Sequence, residues 1–233
     1  MRVVSLTIGI LVSSVLAIWC HGLSPNHRWL VYLFKPLTTT LILVLALTAR
    51  GPLLSRYKLA IVIGLVFSLG GDVFLMLPGD LFLAGLSSFL IAHIAYVVAF
   101  TSDARLASRR LPFLIWMAIG VANIMLLWPG IPAPLRIPVV LYTAIILTMA
   151  AQAASRALTL RVASARNAAI GAALFVISDT LIGLDRFRPN LDFSPAQVLG
   201  TYYAAQWLIA LSIRTPGKVA GSLAATDTGN EFR

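Results

Sequence analysis

Long apolar runs, separated by short polar connections, dominate the pattern along this chain. A helix needs a run of about 17 to 25 residues to cross the hydrocarbon core of a membrane. Such runs predict helices over residues 3–20, 30–48, 59–77, 81–100, 111–128, 136–154, 167–184 and 196–213. Strands of a membrane barrel would be shorter and would alternate apolar with polar positions. The pattern therefore predicts an all-α, polytopic transmembrane bundle of about eight spans.

Composition identifies lipid as the solvent for most of the chain. Hydrophobic residues make up 59% of the sequence and charged residues only 11%, whereas soluble domains carry roughly a quarter charged residues. A water-soluble protein of this size would still expose a large surface, which this chain has too few polar residues to cover. In lipid every backbone amide needs an internal partner, so the long apolar runs must be helical. No soluble or nucleic-acid-binding domain is expected between such short connections.

The first and last segments complete the predicted domain organisation. The single cysteine, Cys20, excludes an internal disulfide framework and any multi-cysteine metal site. The first apolar run resembles a signal peptide, but no small-residue cleavage site follows it, so we expect it to be retained as a span. Residues 1–214 are predicted to form one eight-helix transmembrane domain. Residues 215–233 are polar and rich in glycine, serine and threonine, which predicts a disordered tail.

The net charge of +10 is distributed unevenly between successive connections. With the N-terminus inside, most of the 18 lysines and arginines fall in cytoplasmic segments, and the outer side holds only Arg28, Lys35, Arg136, Arg186 and Arg188. This asymmetry follows the positive-inside rule and predicts that both termini are cytoplasmic, in a bacterial inner membrane. A nucleic-acid-binding surface would also be basic, but its charge would not alternate between connections.

Four ionisable residues fall inside the predicted spans, namely Lys35, Asp72, His93 and Asp179. Such residues are costly in a membrane and indicate function by default. At 1.5 Å per residue, three of them lie about 7 Å below the outer ends of their helices. A lysine and two aspartates from distant helices therefore share one layer of the outer leaflet. The polar residues in or near this layer are Tyr142, Tyr202, Tyr203 and Gln206, and His93 and Tyr96 lie deeper.

Each of these residues also has a structural interpretation. Asp72 follows two glycines and could hydrogen-bond across a close helix interface, and Asp179 allows the same interpretation. Lys35 could extend to the lipid headgroups, and His93 could be a buried structural histidine. Tyrosines near the ends of spans are typical of interfacial belts.

Three motifs around these residues resemble those of a known family. The first block is GGDVFLML at residues 70–77, continued by AHIAY at residues 92–96. The second is GAALFVISD at residues 171–179, followed by Arg186, and an early helix carries the pair Lys35-Pro36. Together, in this order and in an eight-span layout, they resemble the YhhN family, the lysoplasmalogenases.

The resemblance implies hydrolysis of the vinyl ether bond of lysoplasmalogens. The products would be a fatty aldehyde and glycerophosphoethanolamine or glycerophosphocholine, and the aspartates matching Asp72 and Asp179 would be the catalytic pair. Vinyl ether hydrolysis needs a proton donor and a group that stabilises a cation or activates water, as in glycosidases. Two nearby carboxyl groups at low dielectric cannot both ionise readily, so one stays protonated; which one is left open. The predicted substrate-binding residues are Lys35, Tyr142, Ser178, Arg186, Tyr202, Tyr203, Gln206, His93 and Tyr96.

The predicted chemistry requires no metal and no cofactor, since one cysteine and three histidines offer no compact ligand set. The expected partners are a lysophospholipid substrate and membrane lipid, with no nucleic acid and no obligate protein partner. The main competing function is that of a small lipid or solute transporter, because intramembrane Asp and Lys residues also serve transport. A structural or assembly factor, and a hydrolase for another lysolipid or ether lipid, are also compatible with the sequence.

Overall fold

Eight α-helices make up the part of the chain that the structure describes. This computed structural model describes residues 2–21, 28–49, 55–188 and 194–213, and no strand occurs among them. The helices are α1 (Arg2–His21), α2 (Arg28–Thr48), α3 (Ser55–Met76), α4 (Phe82–Phe100), α5 (Leu111–Leu127), α6 (Arg136–Leu160), α7 (Ala163–Phe187) and α8 (Pro195–Leu211). The predicted all-α fold is confirmed. The predicted tail, residues 215–233, lies outside the described residues, and its disorder stays a prediction.

Seven of the eight described helices, α1 to α7, are long and apolar enough to cross a membrane. The remaining helix, α8, has 17 residues and a length of about 26 Å at 1.5 Å per residue. Leucine, isoleucine, valine and methionine side chains cover much of the outer surface, as lipid contact requires and as a water-soluble protein would avoid. The protein is therefore a multi-pass membrane protein, and which end of the bundle faces the cytoplasm stays a prediction.

Six helices form a closed ring in the order α2, α3, α4, α6, α7 and α8, with α8 returning to α2. The other two pack outside the ring: α1 against α2 and α8, and α5 mainly against α6. The outer position of α5 is evident from its burial, since only Pro112, Gly120 and Leu127 are buried on it. The interior of the ring is thus built from six helices, with α1 and α5 as outer supports.

The closest approach in the ring joins α3 to α4. A Cβ added at Gly71 would lie only 2.5 Å from the Phe89 ring, so glycine is needed there. Ser88 of α4 donates a hydrogen bond to the Phe67 carbonyl of α3 at 2.6 Å. The small residues that precede Asp72 therefore serve helix packing. The predicted turn between these helices is also present, with Gly79 at a φ of 104°.

The end of α6 differs from the sequence prediction. Hydropathy predicts a connection over residues 155–166, but α6 continues to Leu160 and α7 begins at Ala163. Arg156, interpreted from the sequence as a topology signal in a cytoplasmic connection, lies inside α6 and is only 1% exposed. Asp103 binds its guanidinium through two hydrogen bonds of 2.7 and 2.6 Å, and the Tyr57 ring lies 4.8 Å from it. A buried charge needs such partners, and the long-range ion pair supplies them for Arg156 within the helix.

Candidate active site

Asp72, four residues before the end of α3, is the centre of a buried polar cluster. Its Oδ2 accepts hydrogen bonds from the Thr39 hydroxyl at 2.6 Å and from the Tyr202 hydroxyl at 2.7 Å. Its Oδ1 lies 3.8 Å from Nζ of Lys35, and the two side chains are 2% and 12% exposed. Lys35 therefore pairs with Asp72 inside the bundle and does not extend to the headgroups. Partners from α2 and α8 hold this carboxylate in place.

A chain of hydrogen bonds continues from this cluster into the bundle. Nε2 of Gln206 donates to the Tyr202 hydroxyl at 3.3 Å, and the Tyr96 hydroxyl donates to Oε1 of Gln206 at 2.7 Å. These side chains are fully or almost fully buried. Buried polar networks whose members are all satisfied fix the positions of their side chains. The tyrosines and the glutamine thus belong to the ring interior and not to an interfacial belt.

Asp179 on α7 lies on the wall of a cavity enclosed by α3 to α7. The Tyr142 hydroxyl on α6 donates a hydrogen bond to its Oδ2. Most of the cavity wall is apolar, and the polar residues on it are Asp179, Tyr142, Asn123, Thr143 and Thr180. Its volume of about 70 Å³ is enough for several water molecules, since each needs roughly 10 to 15 Å³ by this measure. Asp179 is therefore the predicted catalytic residue that faces free space.

The two aspartates are neighbours with different hydrogen-bond partners. They interact electrostatically, but Asp72 bonds to Tyr202 and Asp179 bonds to Tyr142. The Phe175 ring lies beside the Asp72 cluster, with its centroid 5.5 Å from that of Tyr202. The structure thus brings both carboxyl groups to one region and gives each a tyrosine of its own.

His93 on α4 lies between the two clusters. Its ring centroid is 5.3 Å from that of Tyr142, 4.6 Å from that of Phe175 and 6.4 Å from that of Tyr96. The side chain is fully buried, and neither ring nitrogen has a hydrogen-bond partner among the described residues. A neutral imidazole always offers one donor and one acceptor, and leaving them unpaired when buried is costly. The interpretation of His93 as a satisfied structural histidine therefore has no support in its contacts.

Of the nine residues predicted to bind substrate, Tyr142 lines the cavity and the other eight do not, Ser178 and Tyr203 among them. Ser178 is fully buried and donates to the Val198 carbonyl at 3.0 Å, so it joins α7 to α8. Tyr203 packs beside Tyr202, with ring centroids 5.4 Å apart. Neither residue lines the cavity. A hydrogen bond across a helix interface, the structural interpretation weighed for Asp179, thus describes the preceding residue, Ser178.

Arg186, near the end of α7, lies beside one wall residue of the cavity, Phe82. It donates to Oδ2 of Asp80 at 2.6 Å, and both side chains are well exposed, at 42% and 67%. Its guanidinium lies 5.1 Å from the centroid of the Phe82 ring. Phe82 and Phe187 both line the cavity and stack edge to face, 5.7 Å apart. A cation therefore lies next to the aromatic pair at this end of the cavity wall.

Sequence reasoning missed several polar residues at the site. Thr39, the closest partner of Asp72, follows Lys35 by four residues, so both lie on one face of α2. This spacing could have identified Thr39 as a neighbour of the same carboxyl group. Asn123 is the polar residue in an otherwise apolar α5, and it donates to the Thr180 hydroxyl at 2.6 Å beside the cavity. Among the described residues, no cluster of His, Cys, Asp and Glu is arranged to hold a metal ion.

Fold and site together define a polytopic helical membrane protein with two carboxyl groups enclosed in one half of its bundle. Residues 30–213 match the model of the YhhN family. The chain belongs to that family.

Curated relatives support the same assignment. The chain is 35% identical to lysoplasmalogenase TMEM86A of Bos taurus over 202 residues, covering 84% of this chain and 82% of that protein. It is 33% identical to lysoplasmalogenase TMEM86B of Homo sapiens over 153 residues, covering 65% and 62%. The uncharacterized membrane protein YhhN of Escherichia coli O157:H7 is 26% identical over 185 residues, covering 79% and 88%. No solved structure matches the chain.

Proposed function

We propose that this protein is a lysoplasmalogenase, a membrane hydrolase that cleaves the vinyl ether bond of a lysoplasmalogen. The products are a fatty aldehyde and glycerophosphoethanolamine or glycerophosphocholine. Relatives named lysoplasmalogenase align over most of the chain. The observation that carries the proposal is the arrangement of Asp179 and Tyr142 on the wall of an apolar cavity, with the Lys35–Asp72 pair beside it.

Asp179 is the proton donor in this proposal. It faces the cavity, and among the described residues no cation pairs with it, whereas Lys35, Thr39 and Tyr202 all stabilise a carboxylate at Asp72. Asp179 transfers its proton to the alkene carbon that is not bonded to oxygen, and the electron pair of the double bond forms the new C–H bond. The other alkene carbon becomes part of an oxocarbenium ion. General acid catalysis of this kind contributes about 10²- to 10⁴-fold in rate.

Asp72 stabilises the cation and completes the hydrolysis. A negative charge fixed in a low-dielectric interior opposes the charge that develops on the oxocarbenium ion. Water adds to the carbon of that ion, and the proton it loses passes to a carboxylate, which leaves a neutral hemiacetal. The hemiacetal hydroxyl then loses its proton while the glycerol oxygen gains one, and the bond from that carbon to the glycerol oxygen breaks. A fatty aldehyde and glycerophosphoethanolamine or glycerophosphocholine leave, and both carboxyl groups return to their starting protonation.

Arg186 binds the phosphate of the substrate in this proposal. Its ion pair with Asp80 is exposed, and exposed pairs contribute only about 0 to 1 kcal/mol, so a phosphate can replace Asp80 at little cost. Arginine also binds phosphate with two parallel hydrogen bonds. The substrate would then place its headgroup beside Arg186, near the end of α7, and its vinyl ether bond beside Asp179.

The proposed setting is the inner membrane of a bacterium, with both termini in the cytoplasm and residues 1–214 as a single domain. The excess of lysine and arginine in alternate connections supports this orientation. The ligands are a lysophospholipid and the surrounding lipid, and the chemistry calls for no nucleic acid or obligate protein partner.

The direct experiment measures fatty aldehyde release by purified protein from a synthetic lysoplasmenylethanolamine, against the acyl lysolipid of the same length. We expect aldehyde from the first substrate and no fatty acid from the second. Asp179→Asn and Asp72→Asn should each lower turnover about 10²- to 10⁴-fold while the protein stays folded. Wild-type turnover in either variant would contradict the assigned roles. Movement of labelled lipid across vesicles without product would favour the transporter instead.

A further inference from the structure

A second cavity, an apolar groove between α5 and α6, lies next to the candidate active site. Its volume is about 560 Å³, within the range of roughly 300 to 1,000 Å³ found for small-molecule sites. Apolar side chains make most of its wall, including Leu114, Met117, Val121 and Met125 of α5. All four are exposed on the outer surface of the bundle. The groove is therefore open on the side that faces lipid.

The groove is adjacent to the cavity that contains Asp179. Thr143 and Leu147 of α6 line both, so one pair of side chains forms the partition between them. Leu147 fits this position because α5 has a glycine opposite it: a Cβ at Gly120 would overlap the Leu147 side chain. For a chain to pass from the groove into the cavity, the Leu147 side chain has to change its rotamer.

The length and chemistry of the groove suit one hydrocarbon chain. On α5 it extends from Phe113 to Met125, about 18 Å at 1.5 Å per residue, which is close to half of a hydrocarbon core about 30 Å thick. Its polar residues are Thr143 and Thr148, and the Thr148 hydroxyl is satisfied by the Ala144 carbonyl at 2.7 Å. Leu147 meets the groove opposite Gly120, so a chain that enters there and runs away from the Arg186 end has the part of the groove from Gly120 to Phe113, about 10 Å, and the remainder extends toward the Arg186 end.

We propose that the α5–α6 groove binds the hydrocarbon chain of the single-chain lysolipid, which reaches Asp179 through the partition formed by Leu147 and Thr143. This inference rests on the proposed function for the identity of the lipid. It assigns chain-length selectivity to α5 and α6, at positions that touch neither carboxyl group. The lateral opening also explains how a lipid enters the closed ring without leaving the membrane.

The kinetic test fills the groove at Ala144, which lines it and is exposed. Ala144→Trp should lower kcat/KM for long-chain lysoplasmalogens relative to short-chain ones by at least about tenfold, since one buried methylene gives about that discrimination. Ala118→Trp is the matched control, because Ala118 is an exposed alanine of α5 that does not line the groove. An unchanged chain-length profile in a folded Ala144→Trp protein would overturn the proposal.

A second measurement does not depend on hydrolysis. The probe is a saturated alkyl-ether lysolipid, which has no vinyl ether bond, carrying a photoreactive diazirine near the end of its chain. Crosslinks should map to groove residues such as Met117, Val121 or Ala144, and excess unlabelled lysolipid should suppress them. Crosslinks that resist competition would assign the groove to bulk lipid and overturn the proposal. Competed crosslinks in a protein that releases no aldehyde would keep the groove and refute the proposed function.

Discussion

Two buried ion pairs lie at opposite ends of the bundle, and they are built differently. The guanidinium of Arg156 meets Asp103 in two short hydrogen bonds. Nζ of Lys35 lies 3.8 Å from Asp72, whose other oxygen is bound by two hydroxyl groups. The first pair attaches the α4–α5 connection to α6 and leaves little freedom. The second is a longer ion pair, in the part of the bundle that contains the cavity.

The difference between the pairs indicates that one of them stabilises the fold and the other serves the candidate site. Both pairs satisfy the rule that a charge inside a bundle needs a partner. The tight pair has its partner in a connection and lies far from the cavity, so its contribution is to folding. The longer pair shares its carboxylate with hydroxyl donors from two helices, so a change there alters the site. Four substitutions test this distinction.

The largest expected effect is on stability at the tight pair. Arg156→Gln leaves Asp103 without its cation, and breaking one partner of a buried pair costs about 3 to 5 kcal/mol. Thermal unfolding in detergent should show this loss, with unchanged turnover per folded molecule. The double variant Arg156→Met with Asp103→Leu should recover much of the stability, because no unpaired charge remains. A stable single variant with reduced turnover would reverse the distinction.

Replacing Lys35 should affect activity more than folding. Lys35→Met removes the positive charge beside Asp72 but keeps most of the apolar stem. Turnover should fall by about tenfold to a hundredfold, which is roughly 1.4 to 2.7 kcal/mol of transition-state stabilisation. The measurement is aldehyde release at saturating substrate, with Lys58→Met as a control at the opposite end of the bundle. Equal activity in both variants would show that the pair has no part in the reaction.

Replacing His93 should have a smaller effect, in which stability is kept or raised and activity is lowered. His93→Phe removes two buried nitrogens without hydrogen-bond partners, and relief of such groups is worth about 1 to 3 kcal/mol. The midpoint of thermal unfolding should therefore stay equal or rise. Turnover should fall, because the ring lies between Tyr142 and the Asp72 network. A more stable variant with full activity would make His93 a packing residue.

The smallest effect is expected at the exposed cation. Arg186→Gln should raise KM while leaving kcat nearly unchanged, since a rim contact supplies uniform binding. The change should be no more than about fivefold, in keeping with the low energy of exposed ion pairs, about 1 kcal/mol or less. Asp80→Asn is the control, because it frees the arginine and should not raise KM. A large drop in kcat for Arg186→Gln would place the arginine at the reacting atoms.

Much of the fold could be predicted from hydropathy, because each span is a local property of the sequence. The end of α6 could not be predicted in this way, since the charge of Arg156 is satisfied by Asp103, which lies 53 residues earlier in the chain. Helix direction and rise placed Lys35 and Asp72 in one layer, and the two side chains do meet; the depth of that layer in the membrane stays a prediction. The hydrogen-bond partner of each carboxyl group could not be predicted, because it depends on which helices are neighbours in the ring.

Adjacent residues in the Ser-Asp motif illustrate the same limit. In an α-helix neighbouring side chains point about 100° apart, at 3.6 residues per turn. Ser178 therefore bonds to α8, while Asp179 faces Tyr142 and the cavity. A sequence pattern places both in one layer of the membrane, and only the positions of α6 and α8 decide which of them reaches open space.

The outer position of α5 has a consequence for how this protein can be altered. Because α5 packs on the ring mainly through α6 and buries few of its side chains, substitutions on it disturb fewer contacts than substitutions on a ring helix. The carboxyl groups and their hydroxyl donors belong to other helices and would keep their geometry. The reacting groups thus belong to the ring helices, whereas α5 forms an outer wall that can be changed separately. Redesign for new substrates should begin with the wall.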